Sequence, residues 1–90
     1  MKNKKVLECT PRNELTEQDV IRLREDLEHE AKNVFSPLID VRHFNNRLRI
    51  VIEYDEDYSP LIKARIENMI SKITHLTGSA PETLTNSSTG

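Results

Sequence analysis

The chain has 90 residues, 36% of them apolar and 31% charged, with a formal net charge of −2. That size fits one domain with a small core, and the charge balance excludes both an acidic solvating tail and a general nucleic-acid binder. No apolar run approaches the roughly 20 residues that cross a bilayer, the basic start MKNKKVLECT lacks the apolar stretch of a secretory signal, and a single cysteine excludes an internal disulfide.

Residues 1–4 read as a basic lead. Val6 to Thr10 then reads as a short strand running into Pro11 and a polar turn. Alternation along it would point Cys9 inward with Leu7, so we expect a buried, inert thiol and a reducing cytoplasm as its setting. A first helix follows. Thr16 is a good N-cap, and Asp19 three residues on can answer both the cap and the helix dipole. Val20, Leu23, Leu27, Ala31 and Val34 fall on one stripe at helical spacing. Pro37 is expected to end the helix, because proline disfavours helix in the residue before it.

IDVRHF-NN-RLRIVIEY predicts two strands around a two-residue turn, since asparagine tolerates the positive φ that a type I′ turn demands. Residue 44 then faces 47, 43 faces 48, 42 faces 49, 41 faces 50 and 39 faces 52. Ile39, Val41 and His43 share one face with Ile52, Ile50 and Leu48, and a one-residue slip would turn this apolar set outward. Ser59-Pro60 supplies an N-cap and a first-turn proline. Ile62, Ile66, Met69, Ile73 and Leu76 then mark a second helix, with Gly78 as its stop. From 79 to 90 the chain is polar, with a weak last strand expected at 82–85 and disorder after it. The folded domain is thus expected over 5–78.

The element order β-α-β-β-α-(β) calls for a two-layer α+β sandwich, both helices on one face of a small antiparallel sheet. Over residues 5 to 86 this order resembles the ferredoxin-like fold. Heavy-metal-associated domains share that topology, but their loop carries Cys-x-x-Cys where this chain has CTPRNELT with one cysteine. The resemblance therefore implies no metal transfer.

Glu53, Asp55, Glu56 and Asp57 crowd the exit of the second hairpin strand. Asp55, Asp57 and Ser59 have the spacing of a calcium loop, yet Pro60 and Ile66 stand where that loop needs glycine and a bidentate glutamate. We read the cluster as the acidic flank of a helix N-terminus. His29, His43 and His75 have no ligand at metal-site spacing. Only Gly78 and Gly90 are available, so glycine-rich phosphate loops are absent. No catalytic, metal or cofactor site is expected, and no small-molecule substrate or membrane.

The side of the hairpin turned away from the helices is the more informative feature. It carries Asp40, Arg42 and Phe44 on one strand and Arg47, Arg49, Val51 and Glu53 on the other. Arg42 directly opposite Arg49 is unfavourable unless negative charge is near; Glu8 could supply it from the first strand, or a partner's carboxylates could. Mixed arginine and apolar area is the composition of a protein interface. Arg42, Phe44, Arg47, Arg49 and Val51 are therefore the expected binding residues of a small non-enzymatic interaction or regulatory module. Its partner would be another protein or a second copy. One alternative is single-stranded nucleic acid or another anion on the same arginines, which is weaker because such sheets stack bases on several aromatics and Phe44 stands alone; the other is a solvated face of screened charges, with function elsewhere. Charge is also uneven: residues 14–34 hold seven acids against three bases, and residues 60–77 three bases against one acid. Opposed poles favour oriented docking. A chain opening on Met1 is expected to be a stand-alone accessory protein, with part of a larger assembly as the other possibility.

Overall fold

The computed structural model describes the backbone of residues 2–89 and the side chains through Leu84. The elements run β1 (Lys2–Cys9), α1 (Glu17–Ala31), β2 (Leu38–Phe44), β3 (Arg47–Tyr54), α2 (Pro60–Thr77) and β4 (Glu82–Thr89). The four strands form one sheet in the order β2-β3-β1-β4, every neighbouring pair antiparallel. Alternation decides which face is covered. Leu7 and Cys9 of β1 and Leu48, Ile50, Ile52 and Tyr54 of β3 are buried, and they join Leu23, Leu27 and Ala31 of α1 with Ile62, Ile66, Met69 and Ile73 of α2 in one cluster. Both helices thus lie against the same side of the sheet. Among the described residues no helix covers the opposite side.

Local chemistry accounts for the element ends. Thr16 and Asp19 form a reciprocal capping box: the Asp19 N–H donates to Thr16 Oγ1 (3.1 Å) and the Thr16 N–H to Asp19 Oδ2 (3.0 Å). Ser59 Oγ accepts from the Ile62 N–H ahead of α2, with Pro60 at its first turn. Gly78 closes α2 at φ 70°, a left-handed value that costs glycine nothing. Helix α1 ends at Ala31, not near Pro37. Lys32 (φ −53°, ψ 131°) and Asn33 (φ 66°) form a type II turn in which the Val34 N–H donates to Ala31 O. That turn swings Phe35 into the core, where its ring meets Tyr54 edge-on at 5.2 Å.

Two boundaries at the chain ends differ from expectation. The basic lead is the start of β1 from Lys2, because its backbone pairs with both β3 and β4. The expected short last strand extends from Glu82 to Thr89, pairing with β1 along its length and shifting register between Val6 and Leu7. Met1 and Gly90, at the ends of the expected lead and tail, lie outside the described residues.

The hairpin pairs Phe44 with Arg47, His43 with Leu48, Arg42 with Arg49, Val41 with Ile50 and Ile39 with Ile52, which is the expected register. Asn45 (φ 50°) and Asn46 (φ 61°) both take left-handed values. A β-branched residue is strained there, so Asn45→Val is expected to cost about 1–2 kcal/mol. Asn46→Gly should be neutral or stabilise by a few tenths of a kcal/mol. Denaturant midpoints of the two variants check both signs.

Candidate binding face

The uncovered side of the sheet is built by strand alternation. It presents Leu38, Asp40, Arg42 and Phe44 from β2, Arg47, Arg49, Val51 and Glu53 from β3, and Lys4, Val6 and Glu8 from β1. All five expected binding residues, Arg42, Phe44, Arg47, Arg49 and Val51, therefore lie on one surface. At its centre sits Glu8, the Cα partner of Arg49. Arg49 Nε donates to Glu8 Oε2 at 2.9 Å, and Arg47 donates to Oε1 through Nε, with its Nη2 in ion-pair contact with the same oxygen. Arg47 Nη1 also reaches Thr10 Oγ1. Only 9% of the Glu8 side chain is exposed, against 43% of Arg47 and 46% of Arg49. The carboxylate is covered by the two guanidinium groups it holds.

The Arg42–Arg49 pair is correspondingly less repulsive than two bare charges. Arg49 shares the Glu8 carboxylate with Arg47, and Arg42 Nε donates to Asp40 Oδ2 at 2.8 Å on its own strand. The guanidinium of Arg49 also lies over the Phe44 ring, 5.8 Å from its centroid. Glu8, which sequence reasoning offered only as a conditional neighbour, is thus the organising residue. Phe44 is 44% exposed and Leu38 76%, while Val6 and Val51, cross-strand partners, are half-buried between the charges. Leu38 was missed because it precedes the alternation that reveals the face. Tyr54 is turned inward against Phe35, so Phe44 is the aromatic this face offers among the described residues.

Proton equilibria on the surface follow from these contacts. The hydrogen bonds from Arg49 and then Arg47 hold the Glu8 carboxyl below its ordinary range, outweighing the opposing effect of desolvation. Glu30 is also held low, first by the Asn68 amide and then by Arg65, with Lys72 adding its charge. That cluster joins α1 to α2, so part of the opposed charge of the two helices is consumed inside the domain. Burial pushes the Cys9 thiol up, away from the reactive thiolate.

The acidic stretch after β3 has a structural use. Glu56 Oε1 accepts the Ser36 N–H at 2.9 Å, and its backbone carbonyl accepts from Asn3 Nδ2 at 2.9 Å. These bonds tie the segment after α1 and the start of β1 to the β3–α2 loop. Among the described residues, no group of three or more histidine, cysteine or acidic side chains is placed to hold a metal ion. No described helix is long and apolar enough to cross a membrane.

No protein-family model matches the chain, and no curated protein matches it in sequence. Among solved structures it is similar to the de novo designed protein Foldit4, with a TM-score of 0.67 and 16% sequence identity over 99% of this chain and 97% of that one. A likeness at that identity is one of fold: a small α+β domain with a four-stranded antiparallel sheet and two helices.

Proposed function

We propose that the chain is a non-enzymatic interaction domain that docks a protein partner on its uncovered sheet face. We also read the fold more finely as ferredoxin-like. That reading is supported by β1 and β3 lying side by side in the middle with β2 and β4 at the edges, as two interleaved β-α-β units leave them.

The observation that carries the function is the ordering of the arginines. Long side chains usually lose rotamer freedom on binding, at about 0.5–1.5 kcal/mol each. Arg47 and Arg49 are held by Glu8 before any partner arrives, and Phe44 lies beneath Arg49. Guanidinium donors and apolar area are therefore presented together in one arrangement, the chemistry of interface hot spots. A general acid needs a carboxyl pKa raised toward neutrality; Glu8, Asp19 and Glu30 are all moved the other way. A stacking platform for single-stranded nucleic acid would use more than Phe44. The buried, protonated Cys9 suits the reducing cytoplasm proposed as its setting.

Photoreactive residues placed at positions 44 and 51, and at the exposed helical position 24 as a control, test this reading in the native cells. Discrete protein adducts are expected from 44 and 51 and not from 24. Equal yields at all three positions, or no adduct from the sheet face, would overturn it.

A further inference from the structure

We infer that the partner is a second copy of this chain, docked face to face about a two-fold axis that runs along the strands between β3 and β1; this rests on the binding reading above. The pattern of the face leads to that geometry. Register places Arg42, Arg49, Glu8 and Glu82 in one row across the sheet, from β2 through β3 and β1 to β4. The row reads positive, positive, negative, negative. A two-fold axis parallel to the strands reverses it, so Arg42 of one copy lies over Glu82 of the other, and the reverse contact forms by symmetry. Isologous contacts require this kind of self-complementarity.

The neighbouring rows agree. Val51 pairs with Val6 and Glu53 with Lys4 across the β3–β1 boundary. Under the same axis Val51 lies over Val6 of the second copy, and Glu53 over Lys4. Along the two central strands valine meets valine, and Glu53 meets an opposite charge. An axis perpendicular to the sheet would leave the two faces pointing the same way and could not bring them together.

The area is sufficient but modest. Strands of seven or eight residues in a four-stranded sheet offer a footprint of about 500 Å² per copy at ~3.3 Å per residue and ~4.8 Å between strands. Two such faces bury roughly 1,000 Å², the lower end for a specific interface. The dimer is therefore concentration-dependent, and its charge rows make it weaken with salt.

A charge exchange tests the pairing with two exposed residues, Arg42 and Glu82, so that folding is left alone. Sedimentation equilibrium of the wild-type chain should show monomer passing to dimer as concentration rises. Arg42→Glu alone sets acid over acid at two symmetric places, and Glu82→Arg alone sets base over base. Each variant should dimerise at least about tenfold more weakly. An equimolar mixture should recover dimer mass, because the acid introduced at 42 faces the base introduced at 82. A wild-type chain that stays monomeric at millimolar concentration overturns the inference, as do single variants that dimerise normally or a mixture that stays monomeric. Adducts of a different protein at positions 44 and 51, with a monomeric chain, would leave the binding face standing and remove only the second copy.

Discussion

Ile50→Ala is expected to lower folding stability by about 3 kcal/mol, and Val51→Ala, one residue further along β3, by about 1 kcal/mol or less. The two positions have similar intrinsic strand preference, so the difference isolates which face each side chain occupies. Ile50 is fully buried between the sheet and the helices, in the cluster that includes Leu27, Met69 and Ile73. Removing its outer atoms leaves a cavity that close-packed neighbours refill only in part. Val51 is half-buried on the uncovered face, where solvent takes the place of the lost methyl groups. For a domain of this size the first substitution should lower the thermal midpoint by more than about 10 °C. Denaturant titrations run dilute enough to hold the chain monomeric measure both. The association data should reverse the order of importance, since Val51 lies over Val6 in the proposed dimer and Ile50 touches nothing outside. Equal stability losses at 50 and 51 would mean that β3 does not divide core from surface as described.

That division was legible because two independent signals had to agree. Asn45-Asn46 set the turn length, and the period-two pattern on either side set the register; a slip would have buried Arg42 and Arg49. Where only one signal existed, the reading went astray. Val34 continues the apolar stripe of α1, so the helix seemed to run toward Pro37. Asn33 in a left-handed conformation ends it first, and asparagine marks such a stop far less plainly than glycine. Phe35 falls off the helical phase for the same reason, and its burial was missed. Past the expected 82–85 strand, NSST has no apolar residue, so nothing in that stretch announces that the strand continues to Thr89. It is the unpaired edge of β1 that recruits it, through backbone hydrogen bonds that depend little on side-chain identity. The role of Glu8 was legible only conditionally. Its neighbour depends on β1 lying beside β3, and strand order is a property of the whole fold.

Acidification is expected to destabilise the domain as pH falls through the carboxylate range, and Glu8→Gln should remove a distinct share of that dependence. The carboxyls of Glu8 and Glu30 are held below their ordinary value of 4.5 and that of Asp19 below 3.8 in the folded chain. In the unfolded chain they protonate near those ordinary values. As pH drops through them the unfolded state takes up protons that the folded state refuses, so stability present above about pH 5 is lost on the way down. Glutamine keeps the shape of Glu8 but not its charge. It also turns an NH₂ group toward one of the two arginines, setting donor against donor in a site with 9% exposure. The variant should thus be less stable than wild type at pH 7, and its stability should change less between pH 5 and 3. The two profiles should approach each other at lower pH still, once the native carboxylate is itself protonated. Thermal midpoints measured across that range decide the matter. Profiles that stay parallel down to low pH would show that Glu8 does not hold its proton off through Arg47 and Arg49, and the ordered arginines on which docking depends would lose their anchor.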